Sequence, residues 1–443
     1  MRRYVVVALR IVKNSQLTED QRAHLMRRAY SQDEEAFGVV REILARVEKE
    51  GISAIIEYTE KFDKIRLSDV LVSSEEWDAA DSVPADVREA FSLAHKNIET
   101  FHSLQLESLQ NREANVGGTA LSFRYRPLET AAMYVPGGKA SYPSSVLMGL
   151  VPAVIAGVKN RIVVTPPDAS GSVIPEILFC ARLAGATQII KAGGAQGVAA
   201  AAFGHRAPGL TTRPAQILVG PGNRYVTAAK ALLAARGLLR TDMPAGPSEV
   251  LVIADQTARA DFVAADLLSQ AEHGSDSAAV LCCLSEEFAQ AVDREIERGF
   301  VERPARREMK ETSIRQHSVA VVFDKLEDAV DFSNEYAPEH LEICTENPGD
   351  IANRITSAGS VFLGHYAPVA LGDYFSGTNH ILPTGQAAQA FSGLGVDTFM
   401  KRITFQHPTK DSLRAALKPI QIMSKVEGLE FEHGHSVEIR FKD

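Results

Sequence analysis

Residues 269–276, SQAEHGSD, set an amide oxygen and an imidazole side by side at the end of an apolar helical pattern. Val263, Leu267 and Gln270 recur at i, i+4 and i+7, and His273 follows three positions later on the same face. Gly274 is placed to stop that helix. Such a pair reads either as an end-of-helix polar cluster or as half of a zinc site, with no cysteine pair or HExxH signature beside it. Three further clusters combine acid and imidazole. In YAPEHLEI, 336–343, Glu339 and His340 follow Pro338 and precede a strand-like run. Side chains of neighbouring residues in extended chain diverge, so the two are expected to reach a substrate from different sides for separate proton transfers. The alternative is a loop acid beside a structural histidine. In the long glycine-rich stretch 364–385, Asp373 offers a carboxylate either to a metal or to a turn, and His380 offers an imidazole to a charged substrate group. In EGLEFEHGHSVEIRF, 427–441, Glu427, Glu432, His433 and His435 crowd together, as they also would on a solvated surface. Together the clusters supply Gln, His, Asp and His, a nitrogen and oxygen sphere suited to zinc.

The elements that must position these groups show in the hydrophobic pattern. Residues 16–110 read as helical, with Val40, Ile43, Leu44 and Val47 on one face and Phe91, Ala94 and Ile98 repeating the period. From about residue 130, short β-branched runs alternate with alanine-rich stretches, the pattern of βαβ units. Strands are expected at 161–165, 188–191 and 216–219, each ending in a loop of small residues or prolines: Pro166 and Pro167, AGGAQG (192–197), and GPGN (220–223). Such loops lie at the carboxyl ends of the strands, where an open α/β sheet binds ligands and backbone closely approaches a pyrophosphate. None matches GxGxxG, so the case for a nucleotide rests on two glycine loops at equivalent places in one sheet. A second series is expected at 249–254, 278–284, 318–323, 340–344 and 360–363, followed after Gly385 by amphipathic helix and a strand-like tail, 436–441.

The fold class predicted is α/β, with two doubly wound, Rossmann-like parallel-sheet domains and smaller helical N- and C-terminal segments. The expected division is a helical segment 1–30, a larger domain formed by 31–133 with 240–384, a second domain 134–239, and a C-terminal segment 385–443. At 443 residues the chain exceeds one hydrophobic core, and 45% hydrophobic with 23% charged residues is ordinary for a globular enzyme. A net charge of -9 argues against a nucleic-acid surface. Cys180, Cys282, Cys283 and Cys344 form no CxxC pair and read as reduced core thiols. The apolar run 4–9 is too short for a signal h-region and no run of about 20 apolar residues occurs, so a cytoplasmic protein without membrane partners is expected.

In this order the clusters closely resemble the histidinol dehydrogenase family, nearly end to end. The likeness is carried by YVPGGKASYPSSVLM (134–148), AGGAQG, GPGN, DMPAGPSEVLVIAD (242–255), SQAEHGSD, YAPEHLEI, GSVFLG (359–364) and GDYFSGTNH (372–380). The resemblance implies a homodimer with one zinc per active site that oxidises L-histidinol to L-histidine through an aldehyde, using two NAD. It implies Gln270, His273, Asp373 and His433 as zinc ligands that also meet the substrate, and Glu339 and His340 as acid and base, His340 touching substrate. Ser248, His380 and Glu427 would contact substrate, and Tyr134, Gln196 and Asn223 would contact NAD. Glu427 and His433 would act on the partner subunit's site. The tail departs from the family pattern, because Glu432 stands where the family's EGLxxH has histidine. His433 is in register when counted back from SVEIR, which implies a one-residue insertion; Glu432 and His435 are the alternative ligands.

These residue types suit a base at His340 that takes the carbinol proton and a carboxylate at Glu339 that activates water on the aldehyde. Three rivals are a paralogue acting on another small alcohol such as a dihydroxypropane sulfonate, a zinc hydrolase, and a non-catalytic nucleotide-binding regulator.

Overall fold

The computed structural model describes residues 8–27, 34–137, 141–243 and 246–442; parts of the motifs at 134–148 and 242–255, and most of the run 4–9, lie outside them. Two open parallel sheets form the body, and each expected strand of both series is present to within a residue or two at its ends. The larger sheet runs Arg10–Lys13, Val319–Val322, Ala278–Cys283, Glu249–Ala254, His340–Cys344, Ser360–Leu363. Its central strands AAVLCC, EVLVIA and HLEIC are buried at every position, because helices cover both faces of a parallel sheet and leave no solvent side to encode. Cys282 and Cys283 point into separate apolar clusters on the two faces, and all four cysteines are free and buried. The second sheet runs Gln188–Lys191, Asn160–Thr165, Thr130–Tyr134, Ile217–Val219, Arg240–Thr241. Among the described residues no helix is long and apolar enough to cross a membrane.

The expected grouping of segments needs correcting in four places. Residues 34–133 pack mainly on the second sheet, although Asn97 and His102 also meet Phe375 and Asn379 of 240–384. Val40, Ile43, Leu44 and Val47 of helix Glu34–Glu50, and Ile55 of Ile52–Asp63, share the apolar cluster of the second sheet, against helices Gly194–Phe203 and Arg224–Ala235. Helix Ala85–Ser108 packs on Pro143–Ala156 over its other face, and Thr130–Tyr134 is the middle strand of that sheet. At the N-terminus the chain is not only helical, since Arg10–Lys13 pairs with Val319–Val322 as an edge strand ahead of helix Glu19–Met26. Beyond 385, strand Met400–Pro408 pairs antiparallel with all nine residues of Thr119–Pro127, which in turn pairs with Arg112–Val116; none of the three was expected. All three are exposed or half-buried, so they carry little apolar alternation to read. The tail 436–441 alternates Val, Ile and Phe like a strand, yet it is helical, as His435–Glu438 and Ile439–Phe441. Among the described residues no strand pairs with it to complete a ladder; it packs on helix Lys410–Val426, where Gln421 donates to Glu438.

One buried ion pair joins the GPGN turn to the chain that leaves the second sheet. Lys230, on the helix after GPGN, donates to the Asp242 carboxylate and to the Gly220 carbonyl at 3.0 Å, and the Gly220 N–H donates to Asp242 at 2.6 Å. Lys230→Met leaves Asp242 as an unpaired buried charge. The expected loss is about 3–5 kcal/mol of unfolding free energy, checked by urea denaturation.

Candidate functional site

A cavity of about 500 Å³ opens where the two sheets meet. The second sheet contributes its carboxyl ends. Chain order there runs outward from Thr130–Tyr134 to Asn160–Thr165 and Gln188–Lys191, then returns to Ile217–Val219 on the other side, so the switch point lies between 130–134 and 217–219. Pro136 and the GPGN turn, 220–223, line the cavity at that point. The turn requires glycine first: Gly220 has φ +110, and a Cβ there would sit 2.3 Å from the Tyr134 carbonyl oxygen. Asn223 accepts the N–H groups of Tyr225 and Val226, capping the following helix at the cavity rim.

The larger sheet contributes its amino ends instead. Ser248 precedes Glu249–Ala254, Glu339 precedes His340–Cys344, and both line the cavity with His340. The two backbone groups of Glu249 gather the pair: its N–H donates to Glu339 Oε2 at 2.9 Å and its carbonyl accepts from His340 Nδ1 at 3.2 Å. The side chains therefore converge, with Nδ1 and Oε2 3.6 Å apart, against the expectation that they diverge. Glu339 lies before the strand proper and is drawn back by an N–H that the neighbouring strand would otherwise pair. Burial pushes the Glu339 carboxyl up to about 7, with His340 opposing. Burial pulls His340 down, but Glu339 and Asp373 outweigh it and hold the imidazole up at about 9, above the neutral value expected of a base. A cation taking Asp373 as ligand would cancel one of those two charges.

Three histidines follow one pattern. Nδ1 of His273 donates to Ser269 O at 3.1 Å, that of His340 to Glu249 O, and that of His380 to Asp373 O at 2.9 Å. A nitrogen facing a carbonyl must carry the hydrogen, so in the neutral ring each Nε2 keeps its lone pair. Nε2 of His380 accepts from Ser145 at 3.2 Å, and burial lowers its pKa. Nε2 of His340 is buried without a hydrogen-bond partner, 3.5 Å from Asp373 Oδ1. Nε2 of His273 stands 4.0 Å from Asp373 Oδ2, too far for a hydrogen bond and less than twice a zinc–ligand bond of about 2.1 Å.

Gln270 completes the argument for a metal. It lies in the last turn of Ala260–Ala271 at 1% exposure, with neither side-chain polar atom hydrogen-bonded. An unsatisfied buried amide costs about 1–3 kcal/mol per group, a penalty that a bound cation at its oxygen removes. The donor set of amide oxygen, imidazole nitrogen and carboxylate, with a backbone carbonyl orienting the imidazole, fits zinc. Among the described residues no three His, Cys, Asp or Glu side chains form a metal-holding group.

Ser248, His273, Glu339, His340, Asp373, His380 and Asn223 thus meet around one space. Tyr134 and Gln196 do not line it; both are buried behind the glycine loops, where the Tyr134 hydroxyl accepts the Gly194 N–H at 2.9 Å. Glu427, Glu432, His433 and His435 are exposed on the C-terminal segment, also away from the cavity. Sequence reasoning missed Glu249 and Glu342, charged residues at fully buried positions of central strands, and Asp242 beside GPGN. An acid inside a continuous apolar run, as in EVLVIA or HLEIC, was the available signal.

A family described as histidinol dehydrogenase matches residues 26–441. Histidinol dehydrogenase of Leptospira interrogans serogroup Icterohaemorrhagiae serovar Lai is 46% identical over 418 residues, 94% of this chain and 96% of that protein. The protein of that name from Methanocaldococcus jannaschii is 41% identical over 440 residues, 99% of this chain and all of the relative. The crystal structure of histidinol dehydrogenase from Elizabethkingia anophelis superposes with a TM-score of 0.91 at 41% identity, covering 98% of each chain.

Helix Val369–Tyr374, which carries Asp373, lies close on Phe362 because residue 372 is glycine: a Cβ there would meet the Phe362 ring at 2.6 Å. Gly372→Ala is expected to push the Asp373 carboxylate out of place, lowering kcat/KM about tenfold or more with native circular dichroism retained. Steady-state kinetics beside the spectrum provide the check.

Proposed function

This chain belongs to the histidinol dehydrogenase family, and from that premise we propose that it oxidises L-histidinol to L-histidine, the closing step of histidine biosynthesis, using NAD and a zinc ion in a homodimer. The observation that carries the reading is the convergence in one cavity of the Glu339–His340 pair with His273 and Asp373, beside a glycine turn at a sheet switch point, with the unpartnered amide of Gln270 buried one turn before His273. A hydrolase would leave that turn without a task, and a regulator would not need the acid and base. The relatives' names favour histidinol over another small alcohol.

Gln270, His273 and Asp373, with His433 of the partner subunit, would hold the zinc. When bound, the ion would supply a positively charged anchor for the amino and imidazole nitrogens of the substrate, and NAD, meeting Asn223 at the cavity rim with Tyr134 and Gln196 supporting the glycine loops from behind, would supply the hydride acceptor. His340 takes the carbinol proton at Nε2, the ring atom its Glu249 hydrogen bond leaves free. As the carbinol C–H leaves as hydride, the aldehyde forms. Glu339 then removes a proton from water adding to the aldehyde carbon, and its pKa near 7 lets it pass that proton on at neutral pH. Loss of a second hydride from the hydrate leaves the carboxylate, so one alcohol and one water yield one carboxylate, two hydrides and three protons. Ser248 and His380, with Glu427 of the partner subunit, orient the substrate.

The tail supports the dimer. Ile422, Met423, Val426, Leu429 and Phe431 expose apolar surface on the segment that carries Glu427 and His433, as a contact face for a second copy would.

Purified zinc-loaded protein is expected to form about two NADH per histidinol and release histidine; a one-to-one yield rejects the reading. Glu339→Gln should slow oxidation of histidinaldehyde about 100-fold or more while NAD binding is retained, measured by stopped-flow absorbance and NADH fluorescence. Glu339→Gln and His433→Ala proteins, dissociated and reassociated together, should recover about a quarter of wild-type activity, since half the dimers then hold one intact site. A tail acting on its own chain would recover none.

A further inference from the structure

We propose that Glu342 is a positioning residue, the tie that holds Asp373 and Gln270 in place against His340. Its carboxyl group is the point at which the three elements carrying those residues meet. It sits on His340–Cys344, two residues after His340 and therefore on the same face of the strand, at 1% exposure. Glu342 Oε1 accepts the N–H of Val369 at 2.9 Å, the first residue of the helix that ends beyond Asp373. The same carboxyl adjoins that of Asp266, one turn before Gln270 on Ala260–Ala271.

The lengths agree. Two strand residues advance about 6.7 Å and four helical residues about 6 Å, so a helix running back along the strand that begins at Glu342 delivers its fifth residue to His340. Val369 and Asp373 stand in that relation to Glu342 and His340, with Asp373 Oδ1 arriving 3.5 Å from His340 Nε2. Without the tie, Val369 N–H loses its partner, and the short helix keeps the hydrogen bond from His380 Nδ1 to the Asp373 carbonyl near its end but loses the one that fixes its start. A carboxyl group in this apolar layer is costly to bury, and burial pushes both the Glu342 and Asp266 carboxyls up, Glu342 further, so that Glu342 keeps its proton beside Asp266 and the two together bring at most one charge into the core.

The inference rests on the zinc reading above and is tested by metal affinity. Zinc-free wild type, Glu342→Gln, Glu342→Met and Asp373→Asn are titrated with zinc against a chromophoric chelator, and the melting of each zinc-free protein is recorded. Gln can still accept from Val369 and donate to Asp266, so it should stay within about threefold of wild type; Met should weaken zinc binding about 10–100-fold, while zinc-free melting changes little. Wild-type zinc affinity in Glu342→Met overturns the proposal, as does a lowered melting point with unaltered affinity, which marks a merely structural role. A Gln variant as weak as Met also overturns it. Failure of wild type to take up zinc, with Asp373→Asn indistinguishable from it, would instead sink the metal reading and this inference with it.

Discussion

The two backbone groups of Glu249 are the constraint on which the site depends. A residue at the start of a parallel strand turns its N–H and C=O toward a neighbour, and the neighbour here begins at His340, opposite Val250. The ladder is one residue short at that edge, and the side chains of Glu339 and His340 replace it. Buried backbone polar groups must be satisfied, so the acid and the imidazole are held by the same requirement that holds the sheet. The Glu249 side chain extends the clamp by accepting the Gly385 N–H at 2.8 Å, which anchors the far end of the 364–385 loop to the same strand.

The histidines show a second economy of the fold. Each of the three around the cavity uses Nδ1 on a main-chain carbonyl, which fixes ring direction and tautomer together. What differs is what faces Nε2: the Asp373 carboxylate at 3.5 Å for His340, a serine hydroxyl for His380, and for His273 the same carboxylate at 4.0 Å. One ring chemistry thereby stands in three different surroundings, matching the three roles proposed for the histidines. Surroundings, not residue type, separate the roles.

The site also departs from the usual rule for open α/β sheets. Ligands bind at carboxyl ends because loops and helix N-termini gather there, and the second sheet conforms through GPGN and its Asn223-capped helix. The larger sheet faces the cavity with its amino ends, and a catalytic role there draws on unpaired strand edges and buried carboxyl groups. The residues proposed to hold the metal come from elsewhere: Gln270 and His273 from the end of a helix, and Asp373 from a short returning helix.

The α/β class, the strands of both sheets, the face of helix 34–50 and the cluster of chemistry-bearing segments were legible in the chain, because parallel strands buried on both faces are near-continuous apolar runs and one-sided helices repeat every three or four residues. The exposed three-stranded sheet was not, since its residues carry no burial pattern, and Val437, Ile439 and Phe441 alternate as a strand would in a segment that has no strand to pair with. Nor did periodicity show which sheet the helices of 34–108 cover, because an apolar face states that it is buried and not by what. For the site, sequence by itself determined which side chains were available: the amide, imidazoles and carboxylates, and their order along the chain. Only tertiary structure decided their relations, turning Glu339 toward His340, raising both pKa values, leaving Gln270 without a partner and bringing Asp373 to His273. Distances between groups a hundred residues apart are set by strand register and helix packing, which no local spacing encodes.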